Sequence, residues 1–165
     1  MNKYLILCVD DEIEILESVL QDLALFEEYF IVEGAESVSE AKQVISDMEE
    51  NHVPLALILC DHIMPEQTGI DFLIELNQSE ATSKSRKVLL TGQAGLEDTI
   101  TAVNNAALDF YIAKPWDGEG LRSTLRSQLT EYMIDNDNQL LSWSSFLDTE
   151  KIFDAMAAKR NSFGE

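Results

Sequence analysis

Asp61 closes the apolar run Leu55–Cys60 and stands just before a loop that carries Pro65 and ends at Gly69. Asp10 and Asp11 close another such run, and Thr91 and Lys114 follow two more. Three carboxylates brought to one place repel one another and need a cation, unless some stay protonated. Carboxylates that leave room for water suit a hard divalent ion, with Mg2+ the candidate. A lysine and a hydroxyl opposite that ion suit a phosphoryl group, the lysine as point charge and the hydroxyl as donor. A free carboxylate among them can itself attack phosphorus and form an acyl phosphate. Asp61 is thus the candidate acceptor, with Lys114 and Thr91 as its phosphoryl contacts and Asp10, Asp11 and Asp61 as metal ligands. Each residue taken singly has an ordinary reading, as a turn, a helix cap or a loop residue. The set rises above those readings because its members stand at the ends of four separate strands.

The elements that must position them alternate along the chain. "YLILCV" (4–9) reads as a strand buried on both faces, and a helical pattern from Ile13 to Phe26 carries Leu16, Val19, Leu20 and Leu23. "YFIVEGA" (29–35) is a second strand, and Ser37-Val38-Ser39-Glu40 is a capping box that opens a helix through Met48. "LALILC" (55–60) is the third strand, Gly69–Leu76 a helix, "RKVLLT" (86–91) the fourth strand. Leu96–Ala106 is a helix with Ile100 and Val103 on one face, "DFYIA" (109–113) the fifth strand, and Asp117 caps a last helix striped by Leu121, Leu125 and Leu129. Five strand-then-helix units imply an α/β, doubly wound parallel sheet with helices on both faces. In such sheets ligands sit beyond the carboxyl ends of the strands, where these polar residues fall.

Composition narrows the function classes. The chain has 31 acids against 11 bases and a net charge of −20. Residues 1–117 hold 23 of the acids and 6 of the bases. A field of that sign repels nucleic acid and anionic membrane, which argues against direct DNA binding. Cys8 and Cys60 both lie within apolar runs and read as free, buried thiols of a reducing compartment rather than a redox pair. The N-terminal apolar run is short and is followed by Asp10-Asp11-Glu12, unlike a signal peptide. No stretch approaches the roughly 18 apolar residues of a membrane span, so a cytoplasmic location is expected.

Over residues 3–133 the chain resembles the receiver domain of two-component response regulators. The residues that carry the resemblance are the acidic pair Asp10-Asp11, "DHIMPEQTG" with Met64-Pro65 and Gly69 at the expected offsets, "LLTG" ending in Thr91, and "YIAKPW" with Lys114-Pro115. The resemblance implies a flavodoxin-like, CheY-like receiver fold with sheet order 2-1-3-4-5. It implies that Asp61 takes a phosphoryl group from a phosphohistidine on a sensor histidine kinase or phosphotransfer protein. Mg2+ would be held by Asp10, Asp11, Asp61 and the backbone carbonyl of Ile63. Lys114 would contact Asp61 and then a phosphoryl oxygen, Thr91 would swing toward the phosphoryl group, and Tyr111 would turn inward behind it. The Lys114–Pro115 peptide would be cis. Ile63 and Gln93 occupy the positions that tune the lifetime of the acyl phosphate in this family. Gly92 stands where many relatives carry Ala, and Trp116 where Phe is more usual. His62 reads as an exposed neighbour of Asp61, and His52 as a turn residue.

The expected domain organisation is a receiver over 1–133 and a helical extension over 134–165. The last receiver helix overruns the length that covers one sheet face, and Leu125, Leu129, Tyr132, Asn136 and Leu140 approximate a heptad seam. "DNDN" (135–138) is a weak helix former, and Asp148-Thr149 can cap a further short helix carrying Ile152, Phe153 and Met156. The pattern leaves open a helix folding back on its own domain, a homodimer contact, and a linker to a covalently attached output domain. The expected function is a phosphorylation-controlled, non-enzymatic switch acting on a downstream protein effector. Two other classes compete with it. A constitutive interaction module on a receiver fold would not need the complete set of acceptor, acidic pair, Thr and Lys. A Mg2+-dependent aspartyl-phosphate phosphohydrolase would place its nucleophile on the first strand with a second Asp two residues on, whereas here the first strand ends in adjacent aspartates.

Overall fold

The structure, a computed structural model, describes residues 1–92, 95–105 and 107–163. Five strands, β1 (Leu5–Val9), β2 (Ile31–Ala35), β3 (Leu55–Cys60), β4 (Arg86–Leu90) and β5 (Phe110–Ile112), form one parallel sheet in the order β2-β1-β3-β4-β5. Helices α1 (Ile13–Asp22), α2 (Val38–Glu50), α3 (Gly69–Gln78), α4 (Leu96–Asn104) and α5 (Gly118–Asn136) follow the strands in turn, and α6 (Thr149–Phe163) ends the described chain. This is the sheet order and receiver fold that the resemblance implied.

Strand β1 shows why its sequence is apolar throughout. Ile6 and Cys8 face a core shared with α1 and α5, while Leu5, Leu7 and Val9 face a second core shared with α2, α3 and α4. A strand covered on both faces has no solvent side for alternation to mark.

The helix starts follow the capping chemistry of their sequences. The side chains of Ser37, Thr68 and Asp117 accept from the backbone N–H of Glu40, Asp71 and Gly120. The return arm of the expected capping box reaches one residue further back, with the Glu40 carboxylate accepting from the Glu36 N–H at 3.2 Å. Helix α2 ends in a Schellman arrangement: Val53 N–H donates to Met48 O and His52 N–H to Glu49 O. His52, with φ of 61°, occupies the left-handed position usually given to glycine.

Three elements depart from the sequence expectation. The helix expected over 13–26 stops at Asp22 and continues as a 3₁₀ turn over Ala24–Glu28, which turns Leu23 and Phe26 into the core. Strand β2 begins at Ile31 rather than 29, because Phe30 is spent beneath the sheet in the α1/α5 core. Ile100 and Val103 do share a face of α4, but it is the solvent face; among the described side chains of the helix, Ala102 is buried.

Helix α5 continues past the sheet, and its later residues stay buried: Leu129, Tyr132 and Met133 lie in the α1/α5 core. The chain then leaves the helix at Asp137 and turns back, adding Leu140, Trp143, Leu147 and Ile152 to the same core. Phe146 stacks on Tyr29 with ring centroids 4.4 Å apart, and the Arg126 guanidinium lies 4.9 Å over its ring. Asp137 fastens this turn: its carboxylate accepts from the Tyr4 hydroxyl at 2.6 Å and from the Gln139 N–H at 2.6 Å. Burial works against that carboxylate, yet these bonds hold its pKa below the ordinary value. Among the described residues no helix is long and apolar enough to cross a membrane.

Candidate functional site

Parallel strands place their carboxyl ends on one edge, and the predicted polar residues meet there. Asp10 follows β1 and donates its N–H to Ala35 O at 3.1 Å, while its Oδ1 accepts from Glu12 N–H at 2.9 Å and so shapes the entry to α1. Asp61 follows β3, and its N–H donates to Val9 O at 2.9 Å, which sets it alongside the end of β1. Thr91 donates its N–H to Ile112 O at 3.1 Å, and the N–H of Lys114 donates to Thr91 O at 3.4 Å. Backbone ladders extended by one residue past each strand therefore fix four of the five groups.

The carboxylates of Asp10, Asp11 and Asp61 each offer an oxygen within 4.8 Å of the others. Among the described residues this is the one cluster of three such groups that could hold a metal ion. Lys114 Nζ lies 2.8 Å from Asp10 Oδ2 and 3.4 Å from Asp61 Oδ1, bridging the two buried carboxylates. Asp11 stays exposed, at the mouth of a cleft of about 400 Å³ that Asp61, Ile63, Thr91 and Lys114 also line. Burial raises the Asp10 pKa, with the Asp61 charge adding to it and the Lys114 hydrogen bond opposing it. Burial works to lower the Lys114 pKa, but the hydrogen bond to Asp10 and the charges of Asp10 and Asp61 outweigh it and the net shift is upward. Two acids and one base thus leave a surplus of negative charge in a half-dry site. An all-oxygen donor set with open solvent on one side fits a hard divalent cation.

The other predicted residues fall around this centre. Thr91 is buried at the base of the cleft. Tyr111 is partly exposed on β5, its hydroxyl donating to Thr91 O at 3.0 Å. Ile63 is exposed at the rim. The Lys114–Pro115 peptide is cis. Trp116 donates its indole N–H to Asp22 Oδ2 at 2.7 Å, tying the loop after Lys114 to the end of α1. Gln93 lies outside the described residues. Gly69 is needed for close approach: a Cβ there would sit 1.8 Å from the Asp61 carbonyl oxygen. Gly92 is under no such constraint, since its nearest neighbour to an added Cβ is at 3.7 Å and its φ is not positive.

His62 corrects the sequence expectation. It is 2% exposed rather than a surface position. The loop after β3 doubles back so that Gly69 N–H donates to His62 O at 2.7 Å, and α3 starts directly over the imidazole. The ring reaches Asp98 in the first turn of α4, with Nε2 3.2 Å from Oδ2. A histidine beside an acidic loop gives no local signal of such burial; the partner is 36 residues away.

Comparison with known proteins agrees with this geometry. Residues 6–126 match the family model of the response regulator receiver domain. The hydrogenase transcriptional regulatory protein HoxA of Cupriavidus necator is 31% identical over 132 residues, 80% of this chain and 25% of that protein. The response regulator Rre1 of Synechocystis is 27% identical over 163 residues, 97% of this chain and 64% of that protein. Among solved structures, a CheY-like receiver domain protein from Methanospirillum hungatei superposes with a TM-score of 0.70 at 27% identity, covering 82% of this chain and all of that one. The chain spans between a quarter and a third of the length of the first curated relatives it matches.

Proposed function

The chain belongs to the response regulator receiver domain family, and on that footing we propose that Asp61 is phosphorylated by a sensor histidine kinase or phosphotransfer protein in a Mg2+-dependent reaction. The observation that carries this reading is the bridge of Lys114 between Asp10 and Asp61, at 2.8 and 3.4 Å, beside an open cleft. An Asp61 oxygen attacks the phosphorus of phosphohistidine; the O–P bond forms, the N–P bond breaks, and the imidazole leaves. Lys114 transfers one contact from the Asp61 carboxylate to a phosphoryl oxygen, and Thr91 supplies a hydroxyl to another. Asp10, Asp11, Asp61 and the carbonyl of Ile63 would hold the Mg2+. When bound, that ion supplies charge neutralisation and orientation for the in-line displacement.

On this reading the chain is a cytoplasmic signalling module rather than a turnover enzyme. Residues 1–133 act as receiver and 134–165 as its helical extension. Output runs through changed contacts with a downstream protein effector or a covalently attached output domain, with no direct contact to nucleic acid or membrane. The test is a beryllofluoride titration with Mg2+ on wild type and Asp61→Asn, followed by NMR amide shifts and by sedimentation. Saturable shifts around Asp61, Thr91 and Tyr111 are expected in the wild type and not in the variant. A rise in mass in the same samples would assign a phosphorylation-dependent homodimer; a silent wild type would leave a constitutive scaffold as the better account.

A further inference from the structure

We propose that His62 is a positioning residue that couples the phosphoacceptor loop to the first turn of α4, through a hydrogen bond to Asp98. The inference rests on the phosphoacceptor reading of Asp61 and extends it. His62 is covalently adjacent to Asp61 and shares its burial. Its two ring nitrogens serve different elements. Nδ1 accepts from the backbone N–H of Ile70, in the first turn of α3, at 3.4 Å. A nitrogen that accepts carries no proton, so the ring proton is on Nε2, which donates to Asp98 Oδ2 at 3.2 Å. Each ring edge is thereby fixed to a different helix.

The geometry gives this link leverage. The Asp61 backbone N–H is held by β1, and Gly69 lies so close to the Asp61 carbonyl that an added Cβ would sit 1.8 Å from its oxygen. A displacement of Asp61 that accompanies a new phosphoryl group is therefore passed forward along the chain to His62. The imidazole is rigid and buried, so its motion appears at Nε2 and draws on Asp98. Asp98 belongs to the first turn of α4, a helix on which Ile100 and Val103 face solvent and Ala102 packs into the core shared with α3. A charge-assisted hydrogen bond is roughly twice as strong as a neutral one. The link is separate from Thr91 and Tyr111, which act from β4 and β5.

Asp98 is mostly exposed, so its substitution leaves the core intact. The experiment follows amide shifts across 59–64 and 97–105 during beryllofluoride and Mg2+ titration of wild type, Asp98→Ala, Asp98→Asn and His62→Gln. Expected in Asp98→Ala is an unchanged midpoint at Asp61–Ile63 with α4 shifts reduced at least threefold. Asp98→Asn keeps an acceptor and His62→Gln keeps a donor near the Nε2 position, and each should recover more than half of the α4 response. Alpha-4 shifts of wild-type size in Asp98→Ala, alongside a normal response at Asp61, would overturn the coupling and leave the phosphoacceptor reading standing. No response at Asp61 in the wild type would overturn the phosphoacceptor reading, and the coupling with it.

Discussion

At the scale of single residues, the site was legible because its chemistry is carried by residue type at strand ends. Asp10, Asp61, Thr91 and Lys114 needed only the βα alternation to be placed together. His62 was not legible, because its burial depends on where α3 and α4 pass, which no local pattern states. Lys87 is a second buried group of that kind. It is a β4 residue 1% exposed, and its Nζ donates to Thr82 O and Ser83 O, both at 2.9 Å. Burial pulls its pKa down to about 8 from an ordinary 10.5, against the charge of Asp109. Between those values the unfolded chain keeps a proton that the folded chain releases, so this group's contribution to stability rises with pH across that window. Below pH 8 both states are charged and the cost of burial stands in full. Relative to Lys87→Met, the wild type should gain on the order of 2 kcal/mol between pH 8 and 9.5. Urea unfolding of both proteins at each pH reads the difference, and a constant gap between them would refute it.

At the scale of elements, strands were read more securely than helix faces. A doubly buried strand is apolar whatever its neighbours, and β3 was placed to the residue. A helix face depends on what packs against it. The apolar pair Ile100 and Val103 lies on the solvent face of α4, while Ala102 packs into the core. The two glycines flanking the site separate similarly. Gly69→Ala forces a Cβ into the Asp61 carbonyl and should cost about 3 kcal/mol, the upper end for overpacking. It should also impair beryllofluoride binding by displacing Asp61. Gly92→Ala meets only ordinary contacts and should stabilise by about 0.5 kcal/mol through the unfolded chain. Thermal unfolding followed by circular dichroism compares the two, and similar costs for both would contradict the packing account.

At the scale of the whole molecule, Leu140, Trp143, Leu147 and Ile152 of the C-terminal segment lie in the core that α1 and α5 share. The apolar residues of 140–152 were visible in the sequence, but not what they cover, because the surface that receives them is assembled from the start of β1, the 3₁₀ turn and the overrun of α5. Trp143 is fully buried there among Tyr4, Phe30 and Tyr132. Its indole N–H makes no hydrogen bond of good geometry, although it lies near enough to Asp137 to help hold that carboxylate ionised. Trp143→Ala should cost 3–5 kcal/mol, in the range of large aromatic truncations. A loss below about 1 kcal/mol in urea titration would mean that the segment is only loosely attached. The chain has two tryptophans, and they stand in different surroundings. Trp116 sits beside Lys114 with its indole on Asp22, while Trp143 is sealed beneath the sheet. Their emission is therefore a ready pair of optical probes: with either ring replaced by phenylalanine, the remaining fluorescence separates events in the loop after Lys114 from undocking of the C-terminal segment, with no label attached.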